Sequence, residues 1–245
     1  MTAEEAGSRP SVVQGWKASD SLGSAAGLHP LSPIACGLPT LIHNPPSYFE
    51  RLNLAALFPT LKPLEVELGA GDGTFLTQYA GAHPERNFIG VERLLGRLRK
   101  VDRKGLRAGL ANLRLVRVEA WYFAEWMLPV ESVEVFHVYF PDPWPKRRHH
   151  RRRLINAKFS QAVRQALKPG GRIFFRTDNP DYHAQILEVF EPQQDFVTVD
   201  APAELASSLT DFERDFHAQG VPTLQAGYQR KSCAAEILPP ARSEG

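Results

Sequence analysis

A carboxylate held between two prolines is the first feature of this sequence that suggests chemistry. It lies in VYFPDPWPKRRHHRRRL, residues 138–154, where Asp142 stands between Pro141 and Pro143 and Trp144 follows. Proline fixes φ and removes a backbone donor, so such a loop holds its carboxylate stiffly. A tryptophan beside it can serve as a wall for a flat base. Either the loop is purely structural, or it presents a fixed acid to a ligand.

A dense run of positive charge follows this loop. It comprises eight consecutive Lys, Arg or His residues, Lys146 to Arg153. Removing its six Lys and Arg charges from the formal total of +2 leaves −4 on the rest of the chain. Charge runs are usually solvated faces, but a local basic patch on an otherwise acidic chain attracts a phosphate backbone. The run is also expected to enter the N-terminus of a helix, where it opposes the helix dipole and favours an anionic partner such as nucleic acid.

A second candidate site is a glycine-rich turn after an apolar stretch. In ELGAGDG, Glu67 precedes glycines at alternate positions, namely Gly69, Gly71 and Gly73. Glycine permits a tight turn and lets a ligand approach the backbone, and the helix that follows offers free amide groups. Thr74 stands where a dinucleotide-binding Gly-x-Gly-x-x-Gly motif has its last glycine. The turn by itself is compatible with several nucleotides or with a structural role.

Acidic residues follow three further apolar runs. Glu92 closes the second run, about twenty residues after the turn, where an acid can accept hydrogen bonds from both ribose hydroxyls. Glu119 follows the third run and is expected near an adenine edge, and Asp142 follows the fourth. Ligands of parallel sheets bind beyond the carboxyl ends of the strands, so we expect these acids to share one site. The pattern favours an adenosine-containing ligand.

Seven strands and the helices between them are predicted to position these residues. From Leu64 onward, short apolar runs alternate strictly with amphipathic stretches, which is typical of an α/β fold with a mostly parallel sheet and helices on both faces. The helix after the basic run is expected to include Leu154 to Leu167 and to stop at KPGG. The seven predicted strands, of which the last two form a closing pair, are LEVEL, NFIGVE, LRLVRVEA, VEVFHVYF, RIFFRTDN, DFVTVDA and TLQAGYQRK.

Length and composition limit the domain organisation. A chain of 245 residues with 43% apolar content can bury one large core. We expect one domain at residues 44–245, preceded at residues 1–43 by a poorly ordered tail rich in Gly, Ser and Pro. Cys36 and Cys233 are too few for a disulfide framework or a structural zinc site, which is typical of a reducing compartment.

Several classes of protein are disfavoured by what the sequence lacks. No apolar run approaches the roughly 20 residues of a membrane helix, and the N-terminus lacks the pattern of a signal peptide. His137, His149 and His150 are not spaced with acids or cysteines as metal ligands. We therefore expect a soluble cytoplasmic protein without a metal site. The oligomeric state stays open.

These motifs together resemble the bacterial tRNA (guanine-N7-)-methyltransferase family. The elements that carry the resemblance, over about residues 65–231, are ELGAGDG, FIGVE, NLRLVRVEA, FPDPWPKRRHHRRRL, LKPGGRIFFRTDN and TDFERDFHAQG. The resemblance implies a Rossmann-like class I methyltransferase fold. It also implies that the chain transfers a methyl group from S-adenosylmethionine to N7 of a guanine in the variable loop of tRNA.

The resemblance and the glycine turn assign candidate site residues position by position. Asp142 is the expected catalytic residue. The expected cofactor-binding residues are Glu67, Gly69, Gly71, Gly73, Glu92, Glu119 and Asp142. The expected substrate-binding residues are Lys146, Asp178, Thr210, Asp211, Phe212 and Glu213. Family members commonly have Asp in place of Glu119 and often Lys in place of Asp211, so these two contacts are the least directly implied.

The expected chemistry needs no general base. Guanine N7 carries a lone pair and no proton, so catalysis rests on holding N7 in line with the donor methyl group and on favourable charge nearby. Asp142 is expected to orient the reactants and to stabilise the positive charge that arrives on the base. Asp178 and Glu213 are expected to accept hydrogen bonds from guanine N1 and N2. Lys146 and the arginines as far as Arg153 are expected to contact phosphates.

Two other functions remain open from the sequence. A protein of the same fold that binds RNA without methyl transfer would bind the donor and show no turnover on any tRNA. A nucleotide-dependent oxidoreductase would share the sheet, although the Gly-x-Gly-x-Gly spacing argues against it. Thermal protection by S-adenosylhomocysteine but not by NAD would separate the two enzyme classes.

Overall fold

The computed structural model describes residues 40–232. The predicted tail at residues 1–43 therefore lies outside the described residues except for its last four positions, as do residues 233–245. The strands are β1 (Ile42–His43), β2 (Leu64–Leu68), β3 (Asn87–Val91), β4 (Leu113–Val116), β5 (Val133–Tyr139), β6 (Leu167–Thr177), β7 (Phe196–Thr198) and β8 (Leu224–Arg230).

At least one helix lies between each pair of consecutive strands. They are α1 (Leu54–Leu57), α2 (Thr74–Ala82), α3 (Leu95–Arg107), α4 (Ala120–Tyr122) with a π-helical turn at Phe123–Met127, α5 (Ala157–Ala166), α6 (Pro180–Phe190), α7 (Ala203–Ser207) and α8 (Asp211–Ala218). A 3₁₀ helix at Arg147–Arg152, here called the basic helix, precedes α5. Between residues 40 and 232, none of the helices has the length and apolarity that a membrane crossing requires.

The strands form one sheet in the order β1-β4-β3-β2-β5-β6-β8-β7. Only the pairs of β8, with β6 and with β7, are antiparallel. This arrangement confirms the predicted α/β fold with a mostly parallel sheet and a closing pair of strands. The sheet has one strand more than predicted, because Ile42–His43 pairs with Leu115 and Val116. A strand of two residues is too short to produce a periodic signal in the sequence.

The strand order reverses direction between β2 and β5. After β2 the chain adds β3 and then β4 on one side of it, where β1 forms the edge of the sheet. It then crosses to the other side of β2 and adds β5 and β6. Such a switch point leaves a crevice beyond the carboxyl ends of the two central strands, because their following connections diverge. The glycine turn, residues 69–73, follows β2, and the proline loop, residues 140–145, follows β5. The fold therefore brings the two candidate sites side by side.

Each face of the sheet is covered by a buried apolar cluster. On one face, Val66 of β2 packs in a cluster with residues of α5 and α6. On the other face, Phe88 and Val135 belong to a cluster with residues of α2 and α3. Fully burying one such side chain stabilises the fold by about 1.5–3 kcal/mol. The carboxyl ends of β2 and β5 are consequently held in place by both layers of helices.

Two details around α5 differ from the prediction. The basic run does not enter the first turn of α5, which begins at Ala157 after the capping residue Asn156. Asn156 Oδ1 accepts hydrogen bonds from the backbone amides of Lys158 and Phe159, so the helix starts at this cap and the expected conflict with the helix dipole is absent. The helix ends at Ala166, and KPGG lies inside β6 rather than acting as a helix stop.

Candidate active site

Four of the predicted cofactor-binding residues line one cavity of about 320 Å³. They are Gly69, Glu92, Glu119 and Asp142, which follow β2, β3, β4 and β5 respectively. Trp144 contributes to the same wall. Because the strands are parallel neighbours, residues up to 73 positions apart meet at one edge of the sheet. The other predicted cofactor residues, Glu67, Gly71 and Gly73, are not part of this lining.

The glycine turn needs glycine for conformation and for packing. All three of its glycines have positive φ, with values of +85° at Gly69, +55° at Gly71 and +77° at Gly73. A Cβ atom at Gly73 would also lie 2.5 Å from Cγ1 of Val101 on α3. The backbone amides of Gly69 and Ala70 both donate to the Val91 carbonyl at 2.9 Å. Gly71 and Gly73 therefore shape the turn without lining the cavity, whereas Gly69 lines it.

Glu92 holds the glycine turn against the β3–α3 connection. Its Oε2 accepts a hydrogen bond from the Gly71 amide at 3.2 Å, and its Oε1 accepts one from the Leu94 amide at 2.7 Å. The residue is 7% exposed and lines the cavity. Each carboxylate oxygen has two lone pairs, so Glu92 can still accept hydrogen bonds from ligand hydroxyls.

Glu119 caps the short helix α4 at the rim of the cavity. Its two carboxylate oxygens accept hydrogen bonds from the amides of Trp121, at 3.1 Å, and Tyr122, at 2.9 Å. These bonds satisfy donors that a helix N-terminus leaves free. The side chain of Glu119 is consequently oriented by its own helix while the residue stays exposed to the cavity.

Glu67 lies buried in β2, close to the turn. The pKa of its carboxyl is raised to about 8, chiefly by burial. Arg176 opposes this rise, and the nearby acids Asp72 and Glu92 add to it. The residue is 4% exposed, and Oε2 has no hydrogen-bond partner within residues 40–232. A buried carboxyl group without a partner is costly, so a ligand that brings a cation or a donor to it would be stabilised.

The proline loop has a strained backbone and is held by aromatic and cation–π contacts of its tryptophan. Phe140 and Trp144 have φ values of +50° and +43°, which non-glycine residues rarely adopt. The rings of Trp144 and His149 form a T-shaped pair with centroids 5.8 Å apart, and the guanidinium carbon of Arg152 lies 5.0 Å from the centroid of the Trp144 ring. The exposed carboxylate of Asp142 is thus carried by a loop whose tryptophan is packed against the basic helix.

Arg153 fastens this loop to α6, which corrects the prediction that it contacts phosphate. It is 3% exposed, and its Nε donates to the Pro143 carbonyl at 2.7 Å. Its other nitrogens donate to Gln185 at 2.7 Å and to Asp181 at 2.5 Å. Each of the three guanidinium nitrogens donates inside the protein, so this buried side chain is not available to a polyanion. No feature of the sequence separates this arginine from its exposed neighbours.

The remaining members of the basic run are on the surface. Lys146 and four arginines are exposed, namely Arg147, Arg148, Arg151 and Arg152. Of these residues, only Arg152 also lines the cavity. An exposed basic helix beside the Asp142 loop therefore remains as the electrostatic surface that the sequence predicted.

The predicted substrate residues lie outside the lining of the cavity. Asp178 is half-buried directly after β6. Thr210 and Glu213 form a capping box at the start of α8, in which each side chain accepts a hydrogen bond from the backbone amide of the other. Phe212 is 52% exposed, whereas Asp211 accepts a hydrogen bond from Thr74.

Glu213 is more deeply buried than a substrate contact suggests. It is 1% exposed, and its Oε2 accepts from Arg176 Nη1 at 2.9 Å as well as from the Thr210 amide at 2.8 Å. Its Oε1 is buried and has no partner among residues 40–232. The sequence motif [ST]-x-x-E before a helical stretch could have indicated the capping box. The ion pair with Arg176 has no sequence signal, because the two residues are 37 positions apart.

Comparisons with known proteins place this chain among methyltransferases by sequence. A family model described as "Putative methyltransferase" matches residues 61–226. A tRNA (guanine-N(7)-)-methyltransferase of Syntrophotalea carbinolica is 37% identical over 172 residues, which are 69% of this chain and 74% of that protein. The protein of the same name from Lactobacillus gasseri is 37% identical over 193 residues, covering 75% of this chain and 88% of that protein.

Solved structures give the same fold at low sequence identity. The 16S rRNA methyltransferase KamB superimposes with a TM-score of 0.54 at 17% identity, over 74% of this chain and 95% of that one. TrmN from Thermus thermophilus gives a TM-score of 0.50 at 16% identity, over 69% of this chain and 45% of that one. These likenesses show the fold alone. The family model spans most of this chain, and the two relatives share more than a third of their residues with this chain over at least two thirds of its length. The chain therefore belongs to the tRNA (guanine-N7-)-methyltransferase family.

Proposed function

We propose that this chain transfers a methyl group from S-adenosylmethionine to N7 of a guanine in the variable loop of tRNA. The observation that carries the proposal is the cavity that Glu92, Glu119 and Asp142 line beside an exposed basic helix. The names of the relatives support the tRNA substrate and the guanine N7 position. The variable loop comes from the family that the sequence resembles. A protein with this substrate is proposed to work in the cytoplasm.

The residues around the cavity fit the methyl donor. When bound, S-adenosylmethionine supplies an electrophilic methyl group on a positively charged sulfur. Glu92 would accept hydrogen bonds from ribose hydroxyls, and Glu119 would border the adenine end. The unpartnered Oε2 of Glu67 would accept from a positively charged group that reaches below the turn. Three acids and a glycine turn with free backbone approach suit a ligand that carries both hydroxyls and positive charge.

Asp142 is the residue that we propose to be catalytic. Guanine N7 has no proton to lose, so the protein needs to supply orientation and charge rather than a base. The strained loop holds the Asp142 carboxylate at the cavity, where it would orient the reactants and favour positive charge on the base. A preorganised carboxylate loses little free energy in reorganisation when charge develops beside it.

The acceptor would be held by two further groups. Asp178 is proposed to accept hydrogen bonds from the donors of the guanine edge, whereas Glu213, which is 1% exposed and paired with Arg176, would support the acceptor segment from inside the fold. Lys146 and the exposed arginines of the basic helix would contact phosphates and supply most of the affinity. Arg153 has no part in this contact, because its guanidinium is paired inside the protein.

The test uses methyl-labelled S-adenosylmethionine and unmodified tRNA transcripts. After incubation with the purified protein, the RNA is digested and the labelled nucleoside identified, and the labelled position is mapped by cleavage at 7-methylguanosine. We expect label in 7-methylguanosine at a single guanine of the variable loop. Label in another nucleoside would contradict the N7 reaction. Label in 7-methylguanosine elsewhere in the tRNA would contradict only the variable loop.

A further inference from the structure

The N-terminus of α8 is tied to the glycine turn by one side-chain hydrogen bond. Thr74 Oγ1 lies 2.6 Å from Asp211 Oδ2. Thr74 is the first residue of α2 and directly follows Gly73. Asp211 is the first residue of α8 and follows the capping residue Thr210. The bond therefore joins the turn proposed to hold the donor to the segment proposed to hold the acceptor.

The neighbouring groups assign the hydroxyl proton of Thr74 to Asp211. Lys104 Nζ donates to Thr74 Oγ1 at 2.7 Å and to Asp72 Oδ2 at 2.8 Å. A hydroxyl has one proton to donate. The oxygens of Asp72 lie 3.0 and 3.1 Å from Thr74 Oγ1, farther than the oxygen of Asp211. The hydrogen bonds thus run in one direction, from Lys104 through Thr74 to Asp211.

A second contact holds the same segment from the sheet. Arg176 Nη1 donates to Glu213 Oε2 and to the Ser208 carbonyl, both at 2.9 Å. The side chains of Arg176 and Glu213 are 2% and 1% exposed, whereas that of Asp211 is 50% exposed. The Arg176 contact is therefore a buried anchor. The Thr74 contact is only partly buried, since Thr74 is 8% exposed and the Asp211 side chain is 50% exposed, and it can change without disrupting the core.

The glycine turn connects this partly buried contact to the cavity. Glu92 lines the cavity and accepts a hydrogen bond from the Gly71 amide. Only Asp72 and Gly73 separate Gly71 from Thr74 in the chain. A ligand that restrains the turn at Glu92 would also restrain the Thr74 hydroxyl, and through it the start of α8. By linkage, an acceptor bound at α8 then favours the same turn conformation and the donor that requires it.

We propose that Asp211 is a positioning residue that couples donor binding to tRNA binding through Thr74. This inference rests on the proposed function, and it assigns Asp211 no contact with the RNA. Its charge is offset by Arg214, which pairs with the second carboxylate oxygen. Its oxygen Oδ2 faces Thr74, the residue to which Lys104 donates. An acid at this position therefore serves the fold of the acceptor segment rather than a phosphate.

The test measures how much tRNA strengthens binding of the donor product. The affinity for S-adenosylhomocysteine is determined by calorimetry with and without saturating unmodified tRNA, and the ratio of the two dissociation constants gives the coupling. We expect a ratio of about 5 or more for the wild-type protein. Thr74→Val and Asp211→Ala should each bring the ratio close to 1, and the double variant should lower it no further, because both changes remove one bond.

Conservative variants separate the hydrogen bond from charge and from folding. Thr74→Ser keeps the hydroxyl and Asp211→Asn keeps an acceptor oxygen, so both should retain most of the coupling. Coupling that persists in Thr74→Val and Asp211→Ala would overturn the inference. It would also be overturned if Asp211→Asn bound tRNA more tightly while Thr74→Val left the coupling unchanged. If the wild-type protein makes 7-methylguanosine while both variants couple normally, only this inference fails. If it makes none, the proposed function fails and the inference fails with it.

Discussion

The glycine turn and the proline loop lie at the ends of adjacent strands and border the same cavity, but they are built in opposite ways. The turn consists of glycines with positive φ, so its backbone is free of side chains where a ligand approaches. The loop consists of prolines and bulky residues, and Phe140 and Trp144 are forced into positive φ. Such strain costs on the order of 1–3 kcal/mol for each residue.

The difference follows from what each segment has to present. The turn presents backbone, and Glu92 restrains it from outside by accepting the Gly71 amide. The loop presents a carboxylate, Asp142, and must keep its side chains, so its restraint comes from Arg153 and from the basic helix packed on Trp144. The turn should therefore fail when a side chain is added, and the loop should fail when a supporting side chain is removed.

Removing the carboxylate that the loop presents should have the largest effect. We expect Asp142→Ala to lower the single-turnover rate of methyl transfer about 10²- to 10³-fold, because a preorganised charge is lost. The affinity for tRNA should change less than about twofold, since the phosphates are contacted elsewhere. Glu188→Ala, which removes an exposed acid on α6, is the matched control. Near-normal turnover in Asp142→Ala would remove Asp142 from the mechanism.

Adding one methyl group to the turn should destabilise the fold. Gly73→Ala has an unfavourable φ and meets Val101, so we expect a loss of about 3 kcal/mol in the free energy of unfolding, measured in urea. Gly109→Ala has a similar φ of +65° but open space, and it isolates the backbone cost. At Gly96 φ is not positive and no atom lies near the added methyl group, so Gly96→Ala should not destabilise the protein. Equal losses at Gly73 and Gly109 would exclude the collision with Val101.

The buried acid beside the turn should make stability depend on pH. Burial raises the pKa of Glu67 from 4.5 to about 8, so the folded protein keeps a proton that the unfolded chain has lost between these values. The stabilisation is complete below pH 4.5 and is lost as the pH rises through 8. From pH 5 to 8 we expect the wild-type protein to lose roughly 2–3 kcal/mol more than Glu67→Gln does. Parallel pH profiles of the two proteins would contradict the raised pKa.

Adjacent arginines of the basic run should behave differently. Arg153→Met should lower the free energy of unfolding by about 2 kcal/mol, because the Pro143 carbonyl loses its donor, and should leave the salt dependence of tRNA binding unchanged. The double variant Arg147→Met with Arg151→Met should keep the wild-type free energy of unfolding. Its binding constant for tRNA should depend less on salt, and the slope of log K against log salt should fall in magnitude by about 0.7–0.9 for each phosphate that is no longer neutralised. An unchanged slope would mean that the basic helix is only a solvated face.

Much of the candidate site was predictable because local patterns carry it. Acids directly after apolar runs must lie at strand ends, and parallel strands place those ends together, as Glu92, Glu119 and Asp142 demonstrate. The start of α5 was not predicted, although Asn156 is a good capping residue. The basic run indicated an earlier start for the helix, because charge along the chain does not reveal where a helix begins.

The amino-acid sequence alone determined the order of strands and helices, the glycines of the turn and the acids that end the strands, because periodicity and backbone preference act over a few neighbouring residues. Only the tertiary structure decided which charged groups are buried and paired. It separates Arg153, enclosed by α6, from its exposed neighbour Arg152, and it joins Thr74 to Asp211 across 137 positions. Burial and pairing depend on which distant elements pack together, and residue type by itself does not predict that packing.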